Sequence, residues 1–276
     1  MKNTVSCLSV IVMSLLLTGS TTSGEAKLSV DELVAKHLES IGTPEARAAV
    51  KSRAAQGAVA FNERISGSVH LDGTALLLSK GPMLKCAFQF NSPQYRGEQF
   101  VFDGKAVQVA LIDQQSRSAL GNFLVSEPEI LEEGLWGGTL SMGWPLLDVK
   151  AMKAKLKSEG LRKIEGQGLY EVTYISQKGS RNGELSIHFY FEPNTLHHVM
   201  TIYRLSATTD TASEGEAQAS GSGTRTTTVT ELFSDFHDVD GVTLPEQWEM
   251  RLRVEPGKAQ EFQWKAAFSA VAHNRF

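Results

Sequence analysis

The chain is 276 residues long, 41% hydrophobic and 21% charged, with a net charge of −4 at pH 7. Its charges are mixed in sign and form no basic tract, so it lacks the electrostatic footprint of a nucleic-acid binder. With only two cysteines it is not a disulfide-stapled scaffold either.

The N-terminus reads as an export signal. Lys2 supplies a small positive region, Val10–Leu17 a short apolar core, and Gly19, Ser20, Ser23, Gly24 and Ala26 the small residues that follow. The apolar run is too short to span a bilayer, and no later segment is long enough to do so. Residues 1–26 are therefore expected to be removed as a signal peptide. Cys7 precedes the apolar core, so it cannot become an acylated first residue and leaves with the signal. The remaining thiol, Cys86, alternates with Leu84, Phe88 and Phe90 and reads as a buried structural cysteine. A periplasmic location is predicted, with secretion as the second choice. Residues 27–276 are read as one monomeric domain, still at −4 because Lys2 and Glu25 leave together.

Ser29 is placed as an N-cap with Glu32 at the capping-box position. Leu33, Val34, His37, Leu38 and Ile41 then repeat at helical spacing up to Gly42. A second short helix is predicted from Pro44 to about Lys51, and the pair reads as an amphipathic lid or plug lying on a sheet. From about Ala54 the period changes to two. Ala55–Phe61 pairs with Gly67–Leu71, and Asp72-Gly73 is predicted to turn the chain into Thr74–Ser79. Leu84–Phe90 and Glu98–Phe102 follow, and Asp103-Gly104 turns into Ala106–Ile112. Asp-Gly between alternating strands is the strongest short-range hairpin signal, and it recurs at Asp240-Gly241. Ser116–Gly138, broken by Pro128 and several glycines, reads as short helices, and Pro145–Lys157 as a further helix-like stretch. Strands resume at Leu169–Ile175.

Two hairpins dominate the last third, Gly183–Tyr203 around Glu192-Pro193-Asn194 and Leu232–Val254 around Asp240-Gly241. Between them, residues 207–224 are rich in Gly, Ser and Thr and contain no large apolar residue, so they are expected to form a disordered surface loop. Alternation puts Leu185, Ile187, Phe189 and Phe191 on one face, with His188 and Tyr190 on the other. Trp248, Met250, Leu252 and Val254 oppose Gln247, Glu249, Arg251 and Arg253, while Phe262, Trp264, Ala266 and Phe268 oppose Gln263 and Lys265. One side of a sheet of about nine to eleven strands is thus wet, and the other must be covered. By spacing alone, a stripe of aromatics is a packed core.

Ile187–Val199, a strand, a Glu-Pro turn and a strand, is followed by Asp238-Val-Asp-Gly-Val-Thr-Leu-Pro245. With the export signal and the helix-then-meander order, this resembles the LolA/LolB superfamily of periplasmic lipoprotein carriers, in outline over about residues 30–270. The resemblance implies an α+β fold, a large curved antiparallel sheet forming a half-barrel capped by a few helices. It also implies a hydrophobic cavity between them that takes acyl chains without a cofactor. Leu185, Ile187, Phe189, Phe191, Trp248, Met250, Leu252, Phe262, Trp264 and Phe268 are then the cavity candidates. Gly134–Gly138 reads as a hinge or a rim near its mouth, with Trp136 and Gly137 at the rim.

The sequence carries no catalytic or metal-binding signature. His197 and His198, as neighbours on a strand, point to opposite faces and do not share an ion. Asp238-Val-Asp-Gly does not match a calcium loop. The chain has no G-x-S-x-G elbow, and its Gly134–Gly138 run is too isolated for a phosphate loop. The sequence therefore reads as a non-enzymatic exported carrier, with no cofactor and no metal. Its ligand would be acyl chains, lipid or another apolar molecule, with lipoprotein sorting as one form of that role. The alternative is an envelope sensor or interaction module with the same fold and no lipid cargo.

Overall fold

The computed structural model describes residues 28–64, 68–112, 117–180, 182–209, 223–255 and 260–276. The expected signal peptide and most of the loop at 207–224 lie outside the described residues. The first element is α1 (Val30–Ser40), where the Ser29 side chain accepts the Glu32 N–H and the Glu32 carboxylate accepts the Ser29 N–H in return. Next comes α2 (Pro44–Ala49), capped by Thr43. Five strands follow: β1 (Arg53–Arg64), β2 (Ser68–Lys80), β3 (Met83–Phe90), β4 (Gly97–Phe102) and β5 (Val107–Leu111). The middle contains α3 (Ala119–Ser126), α4 (Glu129–Glu132) and 3-10 turns at Gly138–Leu140 and Pro145–Leu147. Seven strands complete the chain: β6 (Lys155–Ile164), β7 (Gln167–Ile175), β8 (Glu184–Phe191), β9 (His198–Thr209), β10 (Gly223–Val239), β11 (Val242–Glu255) and β12 (Gln260–His273).

All twelve strands form one antiparallel sheet in the order β5-β4-β3-β2-β1-β12-β11-β10-β9-β8-β7-β6. Two meanders, β1–β5 and β6–β12, are thus joined by the pairing of β1 with β12, which runs from Arg53↔His273 to Arg64↔Glu261. The sheet curls. Phe88 on β3 and Trp248 on β11 are four strand spacings apart, about 19 Å on a flat sheet, yet their ring centroids are 6.2 Å apart. This is the expected α+β half-barrel with few helices.

The order of strands also dictates what covers the concave face. β5 and β6 are the two edges of the sheet and are consecutive in the chain. The connection between Leu111 and Lys155 must therefore cross the whole sheet, and it does so over the concave side. Leu120, Phe123, Leu124, Ile130, Leu131, Leu135, Trp136, Leu140, Trp144 and Leu146 from this connection join the inward residues of the strands in one buried cluster. Leu33 and Val34 of α1 join the same cluster.

The structure departs from four sequence expectations. Asp72-Gly73 is not a turn but lies inside β2, with Val59↔Gly73 and Ala60↔Asp72 in register. Gly73 is there because a Cβ would stand 2.1 Å from the Gln89 carbonyl oxygen of β3, the other common reason for glycine in a strand. Pro145–Lys157 is not a helix: one 3-10 turn is followed by the start of β6. Lys155, Lys157, Arg162 and Lys163 on that strand are the charges that keep an edge from pairing with another chain. The strand count is twelve, above the expected nine to eleven. The convex face is also not uniformly wet, since Tyr190 packs there with Leu169 and Met200 in a small separate cluster.

Candidate ligand groove and its cover

Inward residues of β8, β11 and β12 line the concave face. Ile187, Phe189, Phe191, Trp248, Met250, Leu252, Trp264 and Phe268 are all buried in the main cluster, while Leu185 and Phe262 are half-buried and pack against it. The structure therefore brings all ten candidates onto one surface. The cover fills the middle of that surface. Trp136, expected at a rim, is instead fully buried, its ring 5.6 Å from that of Trp248 and 6.1 Å from that of Tyr203. Gly137 is buried beside it at φ 84°, a left-handed conformation that favours glycine.

The cover is fastened by buried carboxylates. Glu231 on β10 has the same parity as Val229 and Phe233 and so faces the concave side. One carboxylate oxygen accepts the Gly137 N–H and the Trp248 Nε1–H, both at 2.8 Å. The other lies 2.7 Å from the Tyr203 hydroxyl, which also reaches the Leu135 carbonyl at 2.8 Å. Burial raises the Glu231 pKa to about 7, although the Tyr203, Gly137 and Trp248 donors pull it the other way. Glu98 on β4 accepts from the Ser118 N–H at 2.8 Å, from the Ser118 hydroxyl and from Tyr95, holding the start of α3. Glu133, just after α4, accepts from Tyr174 at 2.8 Å and from the Ser176 hydroxyl and the Lys178 N–H of the β7–β8 connection. Glu127 accepts from Ser180 at 2.8 Å and from Asn182 at 3.2 Å. None of these four was singled out by sequence reasoning. For Glu231 a signal existed, a lone acid at an inward position between Val229 and Phe233.

Imidazoles sit under the other end of the cover. His37 of α1 donates from Nδ1 to the Leu196 carbonyl at 2.8 Å, and its ring contacts Trp144 and Phe191. Burial lowers its pKa to about 4. His198 lies 4.7 Å from Trp144, ring to ring, and burial lowers its pKa as well. His197 points elsewhere and stacks on Phe236 at 4.4 Å. No group of three or more His, Cys, Asp or Glu side chains placed to hold a metal ion occurs among the described residues. Cys86 is buried, and burial raises its pKa far from the reactive range.

Two clefts open at opposite ends of β11. One, of about 430 Å³, lies under α3 between Ala119 and Phe123 of the cover and Leu205, Leu252 and Val254 of the sheet, with Arg225 at its edge. The other, of about 340 Å³, lies between α2 and the 139–148 segment, next to Val242 and Leu244. Ten residues of extended β11 separate Leu252 from Val242, roughly 33 Å. No helix among the described residues is long and apolar enough to cross a membrane.

The fold and groove define an open antiparallel half-barrel wrapped around a cover. Among solved structures, the chain is similar to a LolA superfamily protein from Nitrosomonas europaea. They share 10% identity at a TM-score of 0.45, over 90% of this chain and 95% of that one. It is also similar to a DUF1329 family protein from Desulfovibrio piger, with 12% identity, a TM-score of 0.44, and 90% and 94% of the two chains covered. A Vibrio parahaemolyticus domain named for outer membrane lipoprotein sorting shares 10% identity at a TM-score of 0.42, with 88% and 94% covered. No family model matches the chain, and no curated protein matches it.

Proposed function

We propose that this exported protein binds an elongated apolar ligand, an acyl chain of a lipid or lipoprotein, between its cover and its concave face, without catalysing a reaction. The cleft under α3 carries this reading. It is walled by apolar side chains from both the cover and the sheet, and it leads onto Leu252 and the buried aromatic surface behind it. A chain threading inward would be held by desolvation with little directional bonding. Leu252 would be first contact, and Met250, Trp248 and Trp264 the surface exposed as the cover yields. Beneath the cover, Trp136 Nε1–H and Trp144 Nε1–H are buried without a hydrogen-bond partner. Such groups cost about 1–3 kcal/mol each, and ester or thioester carbonyls of a lipid are the acceptors they lack. The sequence resemblance to the lipoprotein carriers and the predicted signal peptide point the same way, to a periplasmic carrier.

Fluorescence titration with cis-parinaric acid, with native mass spectrometry of protein purified from cells, tests this. Binding is expected in the wild type. Ala119→Trp, which fills the cleft from a half-buried position, should weaken it at least tenfold while leaving the melting temperature within a few degrees. Wild-type protein that neither takes up the probe nor carries a lipid would overturn the reading in favour of an envelope interaction module.

A further inference from the structure

The cleft at the other end of β11 contains a charge that the acyl-binding reading does not use. Arg53, at the start of β1, is only 3% exposed. Its Nε donates to His273 Nε2 at 3.1 Å, and its Nη1 donates to the Thr139 carbonyl of the cover. Neither partner is an anion. Asp240 is reached only through His273, whose Nδ1 lies 3.3 Å from it, and Asp240 itself is 73% exposed. Arg47 of α2 lines the same cleft, and its Nη1 is likewise spent on carbonyls, those of Leu38 and Gly42. Among the described residues neither guanidinium is in an ion pair. The one carboxylate in the lining, Asp148, accepts the Ala151 N–H at 3.0 Å.

A buried cation facing only neutral groups is costly, and arginine does not escape by losing its proton at neutral pH. Burial lowers its pKa only to about 10. The rest of the wall is apolar: Ile41, Val50, Met142, Leu147, Val242 and Leu244. At about 340 Å³ the cleft is at the small end of the range for ligand sites.

We propose that this cleft is a second binding site, separate from the groove under α3, for a small amphiphilic carboxylate. Arg53 pairs with the carboxylate head, and a short alkyl or aryl tail lies against Ile41, Val50 and Leu244. Planar, forked guanidinium donors match a carboxylate in a way an alcohol or an ester cannot reproduce. The site does not depend on the acyl-chain reading, because the two clefts share no lining residue.

Isothermal titration of the full-length Ala119→Trp protein, whose cleft under α3 is filled, with sodium octanoate and, in parallel, methyl octanoate tests the proposal. Octanoate should bind and its methyl ester should bind at least tenfold more weakly. Arg53→Met should weaken octanoate on the order of a hundredfold, the effect of a charge-assisted hydrogen-bonded pair removed from a desolvated site. Ala48→Trp, on the exposed side of α2 at the cleft wall, leaves Arg53 in place and should also abolish binding. Because the cleft under α3 is already filled, these outcomes hold whether or not cis-parinaric acid binds the wild type. Octanoate that fails to bind the Ala119→Trp protein overturns the site. So does an ester that binds as well as the acid, or an Arg53→Met form of that protein that is folded by circular dichroism and keeps its affinity.

Discussion

Replacing Glu231 by glutamine tests the central fastening of the cover. The Glu231 side chain meets three donors, and Tyr203 has a single proton to share between Glu231 and the Leu135 carbonyl. If Glu231 is protonated, its O–H donates to the Tyr203 oxygen, Tyr203 donates to Leu135, and every group is satisfied. If it is ionised, one acceptor goes short and a full charge is buried. The folded-state pKa is therefore raised, from the ordinary glutamate value of 4.5 to about 7. A raised pKa contributes stability that is fully present below pH 4.5 and is lost as pH rises through 7. At about 1.4 kcal/mol per pH unit, the loss is about 3 kcal/mol. Glutamine keeps the acceptor for Gly137 and Trp248 and donates permanently to Tyr203, so it mimics the protonated acid at every pH. Urea unfolding of both proteins at pH 5, 6, 7 and 8 measures the effect, and the difference between them cancels every other titrating group. Glu231→Gln should match the wild type near pH 4.5–5 and exceed it by about 3 kcal/mol at pH 8, a midpoint shift on the order of 1 M urea. A difference that stays constant across the series would refute the buried-acid reasoning.

The remaining predictions use other parts of the molecule. His37 acts in the opposite sense: its pKa is lowered to about 4, so its contribution is present above pH 6.5 and is lost as pH falls towards 4. His37→Phe should be less acid-sensitive than the wild type by a few kcal/mol in the same urea series, and unchanged acid sensitivity would show that His37 titrates freely. Trp136→Ala removes the largest plug of the concave face and should cost about 3–5 kcal/mol in urea unfolding; a cost below 1 kcal/mol would place Trp136 outside the core. Gly73→Val should lower the melting temperature strongly, since its Cβ meets the Gln89 carbonyl, whereas a neutral effect would restore the hairpin-turn interpretation of Asp72-Gly73. Ser29→Ala should cost about 1 kcal/mol through the lost capping box, read as a shift in the urea midpoint.

Elements whose cause is local were legible in the sequence. The capping box at Ser29, the turns at Asp103-Gly104 and Asp240-Gly241, and the alternation that puts Phe189 and Trp248 on one face need only neighbours within a few residues. What failed had a distant cause. Gly73 is explained by a carbonyl of β3, not by its own dipeptide, and β6 was hidden because an edge strand carries lysines where an inner strand carries valines. The four glutamates that hold the cover were invisible for the same reason. Their partners Ser118, Tyr174, Ser180 and Gly137 lie between 20 and 94 residues away, and a glutamate in a sequence is ordinarily a solvated one. Arg53 and Trp136 belong with them, one expected on no site and the other at a rim.

Strand order, more than any single residue, determines what the greasy face can do. Because β5 and β6 are opposite edges, the connection between them has to lie across the concave surface, and the cover cannot leave without freeing both flanks of the sheet. Its fastenings are discrete: Glu98 at one flank, Glu231 at the centre, Glu133 and Glu127 at the other, with apolar contact between them. A ligand therefore does not need to displace the whole cover at once. α3 is held by Ser118 at its start and by the Glu127 contacts beyond its end, and the cleft lies under the span between. Loosening one fastening should widen that cleft alone. Glu127→Ala, which frees the far end of α3 without touching Glu231 or the sheet face, should accelerate cis-parinaric acid uptake in stopped-flow fluorescence severalfold and leave Trp248 buried to acrylamide quenching. If uptake is unchanged and Glu231→Gln alone alters it, the ligand enters at the centre of the cover and not beneath α3.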